Sequence, residues 1–351
     1  MSLFIRVNGC GNAWPVFLGT EHPFYDRMNA DDMGSASYAV IGCMGKNYSP
    51  RTIEWEIIID AGHNTVPFLL KNENRIPEAL FLTHAHPDHI TGVDWIAQSL
   101  KYTSTDSRKL PVYATDLCRQ QVLETIPHLM NAVVFNELKP GRKEFVKEVP
   151  GLAVTAFPVY HGESSQGAAM LLVEYAQDAD APSVLFTGDL LFPFLRNEDY
   201  ATISKAKVMY IDCSNRFSYP ASNHISFTTS KPENGKVSNY LEEWQYKNPV
   251  ERCAALQLKD ANEDYRRYFD RFIQENNNYA NIPFSVMEFL KKTGIPIVQL
   301  VHYSGYHDLK HYRQDELDQK ALQKWAKRLL AVTGLKNVRL DVPKTGIILK
   351  L

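Results

Sequence analysis

The sequence has no long apolar run, and this absence argues against a membrane-spanning protein. No stretch of about 18 apolar residues occurs among the 351 residues, so no transmembrane helix is expected. The first residues, MSLFIRVNGCGNAWP, also lack the charged-then-apolar pattern and the small-residue cleavage site of a secretory signal. We therefore expect a cytoplasmic protein that has no membrane partner.

Cysteine pairs and an excess of positive charge are missing as well. The five cysteines are odd in number, widely spread and form no CxxC pair, which indicates reduced thiols rather than disulfides or a cysteine zinc site. Lys and Arg number 38 against 40 Asp and Glu, for a formal charge of -2. Sequence-independent binding of long nucleic acid usually needs a basic surface, so no long nucleic-acid partner is expected.

Short apolar runs bounded by turn residues are frequent, and they predict strands buried on both faces. Helical spacing is clearest over residues 315–330, and residues 116–125 are a second candidate helix. Between Asn223 and Ile295 the composition shifts toward Asn, Tyr and paired charges, which favours a mostly helical insertion or cap. We expect a single α/β domain over residues 1–351 that contains this insertion at 223–295, with sheets sandwiched by helices.

Three histidines and one aspartate fall within six residues, directly after an apolar run. The segment Ala79–Gly92 reads ALFLTHAHPDHITG, with the spacing H-x-H-x-D-H. Imidazole and carboxylate are the usual protein ligands of zinc and related divalent metals. Side chains two apart in an extended segment point the same way, so His84 and His86 can bind one ion. Asp88 and His89 follow at a predicted helix entry and can face a second ion.

This segment resembles the signature loop of the metallo-β-lactamase fold superfamily, and four further motifs of that family follow the same order. They are IIIDAG with Asp60, VYHG with His161, LFTGD with Asp189 and VHYS with His302. The ordered set spans residues 60–302 and is more specific than any single motif. The resemblance implies a four-layered αβ/βα sandwich, with the site at one edge of its two sheets.

Carried over residue by residue, the resemblance also implies a dinuclear centre with two divalent metal ions. Zinc is the default for His and Asp ligands, and manganese or iron are alternatives. Asp60 would orient a ligand or its loop. His307 and His311 compete with His302 for the last position, and His302 is preferred because it ends an apolar strand. The implied ligands are His84, His86 and His161 for the first ion, Asp88, His89 and His302 for the second, and Asp189 as the bridge.

The implied chemistry is hydrolysis by a hydroxide that bridges the two divalent ions. Asp189 stands where the commonest class of penicillin-cleaving relatives carries a cysteine, so β-lactam hydrolysis is not expected. The start GCGNAWP and the segment Asn223–Ser226 resemble the ribonuclease Z and class II cyclic-nucleotide phosphodiesterase branch. In that branch the corresponding histidine assists proton transfer to the leaving oxygen. Asp88 and His224 are therefore the candidate catalytic residues, and His224 as a plain loop histidine is the alternative.

The spacing of these motifs favours a small substrate. Only 28 positions separate His161 from Asp189, which leaves no room for the basic tRNA clamp that many tRNA-processing relatives insert there. A small phosphodiester, such as a cyclic nucleotide or short oligonucleotide, is the favoured substrate. A hydrolase of a thioester, lactone or amide and a non-catalytic metal-binding protein remain alternatives, and the 223–295 segment could serve as a lid, a pocket wall or a homo-oligomer interface.

Several aromatic residues lie close to these motifs and could stack on a base. With 18 tyrosines in the chain, ordinary packing is the competing explanation for most of them. The candidates are Trp14, Phe24, Tyr25, Tyr303 and Tyr306.

Overall fold

Short apolar segments form the strands of two large β-sheets that pack face to face. The computed structural model describes residues 1–104, 108–175, 182–218, 222–229, 232–233, 236–237, 244, 249–276, 279, 281–306 and 317–351. The strands are β1 (Ser2–Gly9), β2 (Ser37–Cys43), β3 (Ile53–Ile59), β4 (Ala79–Phe81), β5 (Leu110–Ala114), β6 (Val133–Glu137), β7 (Lys143–Phe145), β8 (Leu152–Tyr160), β9 (Ala169–Tyr175), β10 (Ser183–Phe186), β11 (Phe192–Pro193), β12 (Val208–Asp212), β13 (Asn215–Phe217), β14 (Ser226–Thr228), β15 (Pro232–Glu233), β16 (Lys236–Val237), β17 (Ile297–Val301), β18 (Arg339–Asp341) and β19 (Ile348–Lys350).

Helices cover the outer faces of both sheets. Residues 116–125 form a helix with the predicted bounds, and Thr115 caps its first turn by accepting a hydrogen bond from the Cys118 amide. The helix predicted over 315–330 is found at 319–332, and residues 315–316 lie outside the described part. The helices are α1 (Thr65–Lys71), α2 (Pro87–Ile90), α3 (Val93–Thr103), α4 (Asp116–Thr125), α5 (Asn197–Ile203), α6 (Val250–Gln257), α7 (Glu263–Glu275), α8 (Val286–Thr293) and α9 (Gln319–Val332).

Each sheet has an antiparallel half and a parallel half. The first sheet runs β19-β1-β2-β3-β4-β5-β6 and is parallel from β3 to β6. The second runs β11-β8-β9-β10-β12-β17-β18, with β7 paired to β8, and is parallel from β10 to β18. The carboxyl ends of neighbouring parallel strands meet at one edge of a sheet, where α/β proteins bind ligands.

One hydrophobic core lies between the two sheets and another lies on each outer face. Ile57 and Phe81 of the first sheet meet Leu171 and Phe186 of the second, and all four are fully buried. The outer core of the first sheet contains residues of α1, α3 and α4, and that of the second contains residues of α5, α8 and α9. The four-layered α/β sandwich predicted from the sequence is therefore confirmed.

The segment predicted as an insertion, 223–295, contributes α6, α7 and α8 together with short strands. Aromatic side chains of α7 and the buried Trp244 pack on Phe192 of β11 and on Phe194 just after it, in a fourth core. Burial of such a ring contributes roughly 1.5–3 kcal/mol. The part of this segment that the structure describes is thus a packed extension of the sandwich. No helix in the described ranges is long and apolar enough to cross a membrane.

Candidate metal centre

Every motif residue predicted for the site follows the end of a strand, and these strand ends lie together. Asp60 follows β3, and the H-x-H-x-D-H loop follows β4. On the second sheet, His161 follows β8, Asp189 lies three residues past β10, and His302 follows β17. The centre therefore draws its side chains from both sheets, at one edge of the sandwich.

The predicted ligands separate into two clusters of facing nitrogen and oxygen atoms. Within each cluster the candidate ligand atoms all lie within 4.8 Å of one another. His86 Nδ1 lies 3.1 Å from His161 Nε2, and His89 Nε2 lies 3.4 Å from Asp88 Oδ2. The first cluster comprises His84, His86 and His161, and the second cluster comprises Asp88, His89, Asp189 and His302.

Asp189 joins the two clusters through one carboxylate oxygen. Its Oδ2 lies 3.8 Å from His84 Nε2 and 3.7 Å from His161 Nε2, in the first cluster. The same oxygen lies 3.3 Å from His89 Nε2 and 3.2 Å from His302 Nε2, in the second cluster. Asp189 thus occupies the position between the clusters in which a bridging ligand is expected.

The histidine nitrogens that face the centre fit a metal site because several are buried without a hydrogen-bond partner. Among the described residues, these include the Nε2 atoms of His84, His89 and His302. A buried polar atom without a partner is costly. One divalent ion at each cluster would satisfy these atoms, with His84 at the first and His89 and His302 at the second. The opposite ring nitrogens of His84 and His161 are held by Thr83 Oγ1 at 3.1 Å and the Asn223 carbonyl at 2.9 Å, as metal-binding histidines generally are.

Asp60 holds the H-x-H-x-D-H loop through contacts with Thr83 and His89. Its Oδ1 accepts from the Thr83 amide at 2.8 Å, and its Oδ2 lies 2.7 Å from Thr83 Oγ1 and 2.8 Å from His89 Nδ1. Gly62 brings the two segments together, since a Cβ there would lie 1.4 Å from the Asp88 carbonyl oxygen. Asp60 and His302 both have positive φ, at 56° and 61°, a region that few L-residues occupy.

The two clusters differ in electrostatics. Burial lowers the pKa of His84, His86 and His161, and like charges on neighbouring histidines add to this effect. Burial also opposes charge on His89, but Asp189, Asp88 and Asp60 outweigh it and hold the pKa of His89 well above its usual range. The first cluster is therefore neutral imidazole at pH 7, whereas the second is an array of carboxylates around a protonated His89.

His224 lies between the two clusters and is held by Asp212, a carboxylate that was not predicted from the sequence. Its ring centroid is 4.7 Å from that of His161 and 4.9 Å from that of His302. Its Nδ1 lies 2.7 Å from Asp212 Oδ2. Burial opposes the imidazolium charge, but Asp212 outweighs it and raises the pKa of His224 to about 9. The apolar run VMYI that Asp212 ends is the same signal that identified Asp60.

A cavity of about 840 Å³ opens above the centre. Asp88, His86, Asp189, His224 and other site residues form its floor. The same cavity is also lined by Trp14 and Phe17, from the loop after β1, and by Tyr306. Phe24, Tyr25 and Tyr303, which the sequence offered as base-stacking candidates, are instead buried together with Leu322. His307 and His311 lie outside the described residues.

Comparisons with known proteins identify the fold. The profile of the family described as beta-lactamase superfamily domain matches residues 56–225. The structure resembles the metallo-beta-lactamase fold protein YhfI from Bacillus subtilis, with 12% identity and a TM-score of 0.58 over 100% of this chain and 99% of that one. It also resembles a diphosphatase of the PhnP family, with 14% identity and a TM-score of 0.58 over 100% of this chain and 98% of that one. A third similar structure is yeast PDE1, with 12% identity and a TM-score of 0.55 over 100% of this chain and 99% of that one.

No curated protein sequence matches the chain, and structural neighbours at such low identity establish the fold alone. The profile match covers the strands that carry Asp60, the H-x-H-x-D-H loop, His161 and Asp189. Residues 56–225 therefore match the beta-lactamase superfamily domain, and the chain as a whole has the metallo-β-lactamase fold.

Proposed function

We propose that this protein is a dinuclear metal-dependent phosphodiesterase acting on a small phosphodiester. The observation that carries the proposal is the pairing of the Asp189-linked clusters with the His224–Asp212 pair in one cavity. Two divalent ions, when bound, would lower the pKa of water to make a nucleophile at neutral pH and would neutralise charge on phosphoryl oxygens. The chain's own residues supply the remaining functions.

His224 is assigned as the proton donor to the leaving oxygen. With a pKa of about 9 it is protonated at neutral pH, and it lines the cavity. Asp212 accepts from Nδ1 and so directs Nε2 away from itself, toward the substrate. An alkoxide is a poor leaving group unless it is protonated, and general acid catalysis contributes about 10²–10⁴-fold to such a step.

Asp88 is assigned to both the second ion and the reaction. Burial raises the pKa of a carboxyl group, but the neighbouring His89 and His302 outweigh it and keep the pKa of Asp88 below its usual range. The carboxylate also lines the cavity, where it can accept a hydrogen bond from the attacking water and so orient it. The proposed ligands are those of the first and second clusters.

The His224–Asp212 pair favours a phosphodiester over a thioester. A thiolate leaves without prior protonation because the pKa of a thiol is near 8.5, so a thioesterase has no need for a half-buried imidazolium such as that of His224. One structural neighbour is a diphosphatase, which is consistent with phosphoryl chemistry on this fold. Lactones and amides, whose leaving groups do need a proton, remain the second candidate substrates.

The test is a substrate panel on protein loaded with zinc, manganese or iron. We expect cleavage of bis(p-nitrophenyl) phosphate and cyclic nucleotides, abolished by a chelator and restored by added metal. A lactone, an amide and a thioester complete the panel. Turnover of these alone would overturn the phosphodiesterase assignment, and a protein that binds metal but turns over none of the panel would be a non-catalytic binding protein.

A further inference from the structure

The aromatic residues around the centre fall into two groups, and only one of them faces the cavity. Phe24, Tyr25 and Tyr303 are 1–7% exposed and pack on one another. Trp14 and Phe17, in contrast, are 67% and 46% exposed. Single exposed aromatic side chains are ordinary on a protein surface, so exposure alone assigns nothing to them.

The second observation is where these exposed rings lie. Trp14, Phe17 and Tyr306 line the same cavity as His86, Asp88 and the other floor residues. The ring centroids of Phe17 and Tyr306 are 5.3 Å apart with the planes tilted by 56°, a geometry that aromatic pairs favour. We call Trp14, Phe17 and Tyr306 the aromatic rim.

The loop that carries Trp14 and Phe17 is anchored at both ends. At its base, the Gly11 amide donates to the Gly34 carbonyl and the Ala36 amide donates to the Gly11 carbonyl, both at 2.9 Å. Farther along, Tyr25 Oη donates to the Tyr303 carbonyl at 2.5 Å, one residue beyond His302. The rim is therefore tied to the segment that carries a predicted metal ligand, which holds it over the centre.

The cavity is larger than a phosphate group requires. Its volume of about 840 Å³ falls in the range of ~300–1,000 Å³ that is usual for sites enclosing an organic ligand of drug size. The floor residues account for the phosphate, and the aromatic rim adds flat apolar faces to the same cavity. A substrate that fills both parts has a phosphodiester at one end and a planar ring at the other.

We infer that the aromatic rim is a substrate subsite that binds a planar aromatic ring carried by the alcohol of the phosphodiester. The inference rests on the proposed function and adds the residues that select the organic part of the substrate. Trp14 and Phe17 stack on the ring while the phosphate occupies the floor. Aromatic side chains bind bases in this way with little dependence on base identity.

The test compares two five-membered cyclic diesters that share the reacting group and differ in the ring. Adenosine 2′,3′-cyclic phosphate carries a base, and glycerol 1,2-cyclic phosphate carries none. For Trp14→Ala in the metal-loaded protein, we expect kcat/KM on the adenosine substrate to fall roughly 10-fold, mainly through KM. The glycerol substrate should change less than about twofold, and Trp14→Phe should restore most of the lost preference.

Leu18→Ala is the matched control, since Leu18 is a fully exposed apolar residue of the same loop that does not line the cavity. It should leave both substrates unchanged. An equal loss on both substrates in Trp14→Ala, or no loss on either, would overturn the inference.

A binding measurement separates this inference from the proposed function. Adenosine 5′-monophosphate should quench tryptophan fluorescence in the wild type but not in Trp14→Phe, whereas ribose 5-phosphate should quench neither. If the wild type cleaves no phosphodiester, the proposed function fails, and the quenching experiment alone then shows whether the aromatic rim binds a planar ring. If turnover is normal and the nucleotide does not quench Trp14, the rim is not a ring subsite.

Discussion

The first cluster and the second cluster lie side by side and share Asp189, yet the pKa values of their histidines are shifted in opposite directions. The first consists of three imidazoles whose pKa values are lowered, so its ligands are deprotonated before any metal arrives. The second surrounds His89 with Asp60, Asp88 and Asp189, which keeps that histidine protonated. The first cluster thus offers a cation neutral imidazole ligands. The second cluster offers it negatively charged carboxylates, whose charge the proton on His89 partly neutralises.

The strongest test of the comparison removes the residue that both clusters share. Asp189→Ala should weaken the binding of both ions together, because Asp189 Oδ2 lies within 3.8 Å of histidine nitrogens of both clusters. Activity should fall by at least about 10³-fold, beyond the loss of a single transition-state donor. Mass spectrometry would count the ions per chain, and retention of one full ion would show that Asp189 serves only one cluster.

Two single-ligand variants should then separate the clusters. His86→Ala removes a ligand from the first cluster alone, and His302→Ala removes one from the second alone. Each should lose one ion and keep most of the other, with activity reduced by about 10²-fold or more. Equal loss of both ions in His302→Ala would mean that the last ligand has been assigned wrongly.

His224 touches rings of both clusters, and its partner offers a more selective change. Asp212→Asn removes the carboxylate that raises the pKa of His224 to about 9. If protonated His224 is the acid, activity is present below its pKa and lost above it, so the alkaline limb of kcat should move to lower pH in the variant. We expect kcat at neutral pH to fall by about 10²-fold.

His224→Ala should remove this alkaline limb rather than move it. Metal content should stay at the wild-type level in both variants if neither residue is a ligand. Loss of an ion from Asp212→Asn would place that carboxylate among the metal ligands, since Asp212, His224 and His302 also form a compact group.

The smallest expected effect is a difference in how the two ions respond to pH. A metal that binds the second cluster must displace the proton from His89, so its apparent affinity should rise with pH, by at most tenfold per unit for one proton. The first cluster binds without losing a proton at pH 7. Metal titrated into metal-free protein at several pH values between about 6 and 8 should show the affinity for the second ion falling more steeply toward low pH than the affinity for the first, and equal pH dependence would remove the distinction.

The fold and the candidate ligands were predictable because their signals are local. An apolar strand followed by Asp or His is visible in the sequence at Asp60, His161 and His302, and the structure gathers these strand ends at one edge. Helix 116–125 was found because its spacing is contained in a few residues, and the structure adds Thr115 as its cap. The resemblance to a known superfamily placed these local signals in a common fold, which the structure confirms.

What sequence reasoning missed depends on contacts between distant segments. Nothing near Asp212 reveals that it holds His224, because the geometry between β12 and β14 creates that pairing. Trp14 and Phe24 look alike as aromatic residues of one loop, but tertiary packing buries Phe24 and leaves Trp14 at the cavity. The assignment of 223–295 as a cap within one domain stays a prediction, although its described helices pack on the sandwich.

The left-handed backbone at Asp60 and His302 bears on how relatives of this chain can be sorted. Such a conformation costs an L-residue about 1–2 kcal/mol, and glycine or asparagine would adopt it more easily. A lineage that no longer needs the centre would gain stability by exchanging His302, whose two ring nitrogens are buried without a hydrogen-bond partner, for glycine or asparagine. Asp60 would be retained, because its carboxylate holds Thr83 and His89. A homologue with that exchange at position 302, and an otherwise intact H-x-H-x-D-H loop, would be recognisable as a pseudoenzyme from one position in its sequence.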